Sequence, residues 1–217
     1  MINKFYNKIS RRNALAFLII MAGLCVSGRG FYVGAKAATA QVLLKRAWAQ
    51  SLETGEQANL WGSMDARPFA KLTVPSQGES AIVLDNLSGQ SLAFAPSYMP
   101  ETAKPGMPGT SLIAAHKNTH FAFLENLQKG DEIHVQNYDG SEHVFRVSHM
   151  QIVDKDQSGI YAPDTHISSE EPSRLALVTC YPFDQLSYGG PLRYIVFAEE
   201  VPKTDFIETE IVLASTI

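Results

Sequence analysis

From Pro68 onward the chain is written as short apolar or alternating segments cut apart by turn residues, and this texture restricts the fold more than any other feature. The segments are Ala70–Val74, Ala81–Leu84, Ser91–Ala95, Ser111–Ala115, Glu132–Asn137, His143–Val153, Leu175–Cys180 and Arg193–Glu200. Ser88-Gly89, Pro105-Gly106, Pro108-Gly109, Asp139-Gly140 and Gly189-Gly190 separate several of them, and such pairs supply the backbone angles of tight turns. Only one helical patch intervenes, Phe121 to Leu127, where Phe121, Leu124 and Leu127 share a face. About eight short strands with so little helix predict an all-β sandwich or barrel of about 150 residues. The polar stretch Asp154 to Ser173 is longer than a simple connection, and loops of that length ordinarily carry function or move.

The N-terminus has a different texture. Lys4, Lys8, Arg11 and Arg12 precede an apolar run from Ala14 to Val26 with no acidic residue among them. Arg29 interrupts the run, and Phe31 to Ala35 extend it. A membrane-spanning helix needs about 20 mostly apolar residues, which 14–34 supplies if Arg29 snorkels to the interface. The basic flank predicts a cytoplasmic N-terminus and a C-terminal domain outside. A cleaved signal peptide competes with this anchor, with Ala38-Thr39-Ala40 as a cleavage site and Ser10-Arg11-Arg12 as a faint twin-arginine signal. The small residues lie far from the apolar centre, which favours the uncleaved anchor. Ala37 to Leu52 reads as a juxtamembrane helix, and Thr54 to Arg67 as a polar linker. The expected division is therefore a basic tail (1–13), an anchor (14–34), a helix and linker (35–67) and an exported domain (68–217). A net charge of −4 leaves no basic footprint, so nucleic acid is excluded as the partner.

The chemistry-bearing residues sit at strand ends. Cys180 closes the apolar segment LALVTC and is followed by Pro182, which cannot continue a ladder. The other cysteine, Cys25, belongs to the membrane segment, so no disulfide between them is expected. An unpaired cysteine in an exported protein suggests a reactive thiol, and such a thiol needs a histidine or cation beside it. His134, His143 and His149 fall within strand patterns, and His166 in the long loop. His116 instead directly follows the strand SLIAA, with His120 four residues later. A zinc site of His116, His120 and a cysteine is conceivable arithmetic, but no further ligand motif completes it, and no metal or cofactor is called for. Arg193 lies in the segment LRYIVFAEE, thirteen residues after Cys180. A hairpin would bring it to the same rim, where a guanidinium can stabilise an oxyanion.

Taken together these segments resemble the sortases. The family's T-L-x-T-C signature is similar to Ala176-Leu177-Val178-Thr179-Cys180, its arginine strand to GPLRYIVF, and its histidine segment to IAAHKNTHFAFLENLQKGDEI from Ile113 to Ile133. The likeness spans Val74 to Glu200 and departs from the family at Ala176 and Ala115. The anchor, KNTHF and VTCYPF look most like the proteobacterial class GN branch. The resemblance implies a closed eight-stranded β-barrel with short helices, preceded by the transmembrane helix. It implies a cysteine transpeptidase in which Cys180 is the nucleophile and His116 the general acid and base. Arg193 and the backbone N–H of Tyr181 would stabilise the oxyanion, and Thr179 would hydrogen-bond the substrate backbone. Its substrate would be a protein with an LPxTG-like C-terminal sorting signal, one wall of whose groove is the loop Asp154 to Ser173. The acceptor would be an amine. Its place would be the inner membrane, single-pass, with the catalytic domain periplasmic. A cysteine peptidase using water and a non-catalytic anchored barrel are the alternatives.

Overall fold

The strand-and-turn alternation beyond Pro68 closes into a barrel. A computed structural model of the chain describes residues 2–62, 64–156, 171–184 and 189–202, and two compact units emerge, Met1–Val42 and Leu43–Ile217.

The first unit lies within helix α1 (Ile2–Thr54). The stretch Asn13–Thr54 contains a window long and apolar enough to cross a membrane, and none of that window is buried. Leu15, Phe17, Leu18 and Ile20 are all exposed. The anchor and juxtamembrane helix, expected as two elements, form one, because nothing between residues 34 and 37 breaks the helical ladder.

In the second unit the strands are β1 (Pro68–Val74), β2 (Glu79–Leu84), β3 (Ser97–Tyr98), β4 (Gly109–Ala114), β5 (Glu132–Asn137), β6 (Glu142–Asp154), β7 (Ser173–Tyr181) and β8 (Leu192–Glu200). They hydrogen-bond around a closed barrel in the order β1-β2-β3-β4-β7-β8-β6-β5. Most neighbours are antiparallel, but β2 and β3 are parallel, and so are β4 and β7, with Ala114 opposite Val178. Seven of the expected segments become strands with small changes at their ends. Ser91–Ala95 does not. Residues Gly89–Phe94 form helix α2 because Ser88 caps it, accepting the N–H of Ser91 at 3.0 Å, and a serine N-cap is a strong helix start. The missing strand is the two-residue β3. The expected helical patch is a single 3₁₀ segment, Ala122–Asn126, whose neighbours Phe121 and Leu127 are buried with Leu124.

Thr54 to Arg67 is packed rather than a free linker. Ala58 and Ala66 are buried, the Ala58 N–H donates to Ser51 Oγ at 2.9 Å, and Trp61 stands edge-on to Phe94 with ring centres 5.4 Å apart. Its scattered apolar residues give no period, so the sequence alone concealed this contact.

Side chains alternate across each strand. Leu72, Ile113, Ile133, Phe145, Leu175, Leu177, Val196 and Ala198 fill the barrel, while Leu112, Ala176, Val178 and Ile195 form a second cluster on the outer face of β4, β7 and β8. Where β6 begins and β8 ends, His143 Nδ1 meets Glu200 Oε1 at 2.6 Å. The Gly106 backbone comes so close that a Cβ there would lie 2.0 Å from His143 Cε1.

Candidate active site

The outer-face cluster leads directly to the predicted nucleophile. Along β7, Leu175 and Leu177 point inward and Ala176 and Val178 outward, so Cys180 is the next outward residue. It is half-buried. On β8, Val196 and Ala198 point inward and Ile195 and Phe197 outward, so Arg193 shares the outer face, and it is the direct partner of Cys180 in the antiparallel register. On β4, Leu112 and Ala114 face outward, and half-buried His116 lies two residues past the end of the strand. The parallel pairing of Ala114 with Val178 puts His116 level with Cys180. Cys180 and Arg193 are thus register partners at one end of the barrel, and His116 follows β4 at that same end.

Two ties hold the histidine segment to the cysteine segment. Thr179 Oγ1 donates to the carbonyl of Ala115 at 2.7 Å, and the Ala115 N–H donates to the Val178 carbonyl at 3.2 Å. Thr179 is only 2% exposed. The threonine expected to bind the substrate backbone here has its side chain facing inward and its hydroxyl proton on Ala115. The second tie runs from Lys117 Nζ to the carbonyl of Pro182. The His116 carbonyl accepts the N–H groups of Thr119 at 3.3 Å and Phe121 at 3.1 Å, which fixes the backbone on its far side.

His120 reaches across to the end of helix α2. Its Nε2 donates to the Phe94 carbonyl at 3.0 Å. Burial pulls its pKa below the ordinary histidine value, and the neighbouring His116 adds to the effect. Arg193 is half-buried, and its Nη1 donates to the carbonyls of Gly190 at 2.7 Å and Leu192 at 3.0 Å. Both acceptors belong to its own turn, so the guanidinium is pinned at the rim. Tyr181, whose N–H was expected to face the oxyanion, ends β7 opposite Leu192. Its ring joins Phe183 and Tyr194, with centroids 5.3–6.3 Å apart. Burial, Tyr181 and Glu125 together raise the Tyr194 pKa.

The two departures from the expected motif separate here. Ala176 lies in the outer-face cluster that leads to Cys180, whereas Ala115 packs inward. The segment 157–170, which holds most of the expected groove wall and His166, lies outside the described residues. Lys117, Phe183 and Tyr194 were not anticipated. Lys117 and Phe183 sit inside the two quoted motifs, but no spacing rule says where a lysine's ammonium lands.

Comparison with known proteins places the fold. A family model for the sortase domain matches residues 72–201. Sortase D of Bacillus subtilis (strain 168) is 24% identical over 204 residues, covering 88% of this chain and 99% of the relative. Among solved structures, sortase A from Corynebacterium diphtheriae superimposes with a TM-score of 0.55 at 18% identity, over 64% of this chain and 63% of that one. The chain therefore spans a little under two thirds of that structure. The Clostridium perfringens sortase D5 transpeptidase gives 0.54 at 17% identity, over 77% and 98%. These structures share the fold. The relatives named here are of types A and D, and they lend no support to the class GN expectation.

Proposed function

The chain belongs to the sortase family of cysteine transpeptidases, and from that premise we propose that Cys180, His116 and Arg193 carry out acyl transfer at the end of the outer face. The Cys180 thiolate attacks the carbonyl carbon on the acyl side of the scissile peptide bond. Arg193 and the Tyr181 N–H stabilise the oxyanion. The C–N bond breaks as His116 gives its proton to the leaving amine, and a thioester remains on Cys180. An incoming amine then attacks the thioester, His116 takes its proton, and the thiolate departs. The observation that supports this reading is the direct pairing of Cys180 with Arg193 on β7 and β8, with His116 just past the end of β4, the parallel neighbour of β7.

The substrate is a protein bearing an LPxTG-like C-terminal sorting signal. The partly buried apolar residues Met99, Ala114, Val153 and Phe197, which flank the buried cluster of Leu112, Ala176, Val178 and Ile195, support an apolar surface beside Cys180 for such a signal. Helix α1 anchors the protein in the inner membrane through 14–34, with the basic tail inside and the barrel in the periplasm. Support comes from the exposed apolar window and the preceding cations. Assignment to the class GN branch, with one dedicated substrate protein, rests on the anchor and the KNTHF and VTCYPF segments.

Incubation with an LPxTG-type peptide, with and without a competing amine, tests the reading by intact mass. An acyl adduct on Cys180 that is released as amine-linked product is expected. Hydrolysed peptide alone at every amine concentration would overturn the transferase, and absence of any adduct would overturn the role of Cys180.

A further inference from the structure

The residues on both sides of His116 are fastened to residues on both sides of Cys180. Ahead of His116, the Ala115 carbonyl accepts the Thr179 hydroxyl. After it, the Lys117 ammonium donates to the Pro182 carbonyl. The first tie extends the parallel β4–β7 pairing and is built from a buried hydroxyl. The second has a different origin. Pro182 lies past the end of β7, so its carbonyl is beyond the β7–β8 ladder. Lys117 is half-buried, its stem lying along the protein while the ammonium reaches 65 residues along the sequence. A hydrogen bond from a charged donor is stronger and shorter than a neutral one.

We propose that Lys117 is a positioning residue for acyl transfer. Its ammonium holds the Tyr181-Pro182-Phe183 segment against the His116 segment, and so sets the separation of imidazole and thiol and the aim of the Tyr181 N–H. The inference rests on the assignment of Cys180 and His116 as the reacting pair. The Thr179 hydroxyl, the Ala115 N–H and the β7–β8 ladder hold the chain as far as Tyr181. Pro182 lies beyond them, and the Lys117 ammonium fastens that next residue to the segment that carries His116. Displacements of about 1 Å in such constellations cost up to about 100-fold in rate.

The segments that meet at this rim also carry His120, Asp184, Tyr181, Tyr194 and Arg193, so a titration must be compared with the ammonium alone altered. Lys117→Met keeps the length of the stem and removes the charge, and Lys117→Arg restores a cationic donor. In the full-length protein, alkylation by iodoacetamide is followed by mass on the Cys180 peptide from pH 5 to pH 10. The same variants are assayed for transfer from an LPxTG-type peptide.

In Lys117→Met, alkylation near pH 7 falls about 3- to 10-fold and converges on wild type at high pH, because the thiolate is the reacting species. Its kcat falls about 10- to 100-fold with KM nearly unchanged, and Lys117→Arg recovers most of both. An alkylation profile and kcat that overlay those of an acylating wild type overturn the role of Lys117 and leave the reaction intact. A loss that accompanies a lowered melting midpoint and is not recovered by Arg marks a purely structural lysine and also overturns it. A wild type that never acylates overturns the parent reading, and this one with it.

Discussion

Thr179 and Ala115 are joined by a hydrogen bond buried between two parallel strands, the threonine hydroxyl donating to the alanine carbonyl at 2.7 Å across 64 residues of sequence. Thr179→Val keeps the shape and removes the donor, leaving a carbonyl without its partner. An unsatisfied buried acceptor costs about 1–3 kcal/mol, so urea denaturation should show a loss of that size, with a fall in transfer rate. Thr179→Ser should recover most of both. An unchanged midpoint for Thr179→Val would exclude the bond from any structural role.

Arg193 is held by its own turn through Nη1 opposite Cys180. Removing a preorganised oxyanion donor typically costs about 10²–10³ in rate. Arg193→Ala should therefore slow single-turnover acylation by that factor while the protein stays folded by circular dichroism. Acylation at the wild-type rate would remove Arg193 from the chemistry.

His120 carries a pH prediction. Burial and His116 hold its folded pKa below the unfolded value, so near and below pH 6.5 the unfolded chain binds the proton more readily. Stability should then fall on acidification from pH 7 towards pH 5, at a slope of no more than about 1.4 kcal/mol per pH unit from this group. His120→Gln, which keeps a donor near the Phe94 carbonyl, should flatten the dependence. The measurement is the difference between the two proteins' stability curves, and parallel curves would refute it.

Gly106 has φ +87° and faces the imidazole of His143 closely enough that a Cβ would strike Cε1. Gly106→Ala should cost about 2–4 kcal/mol, from backbone strain and overpacking together. Combining it with His143→Ala should recover the overpacking part and leave the strain. A double variant no better than the single would show that the clash is absorbed elsewhere.

The barrel was legible because its signals are local. Alternation marked β5 to its end residues, and turn pairs such as Asp139-Gly140 bracketed the strands. Ser91–Ala95 misled because an apolar-looking run of five residues carries no period, and the serine cap that makes it helical lies outside it. The candidates Cys180, His116 and Arg193 could be singled out because residue type and motif order survive in one dimension. The inward turn of Thr179 depends on register parity, and the reach of Lys117 to Pro182 depends on the path of a flexible side chain. Neither is written in spacing. The packing of Trp61 on Phe94 was hidden for the same reason.

Because β4 and β7 are parallel, the polypeptide must travel the length of the barrel and return before the second of them can be laid down. It spends that excursion building β5 and β6. An emerging or unravelled polypeptide consequently holds Cys180 apart from His116, and the proposed chemistry, which needs the two together, arrives only with closure.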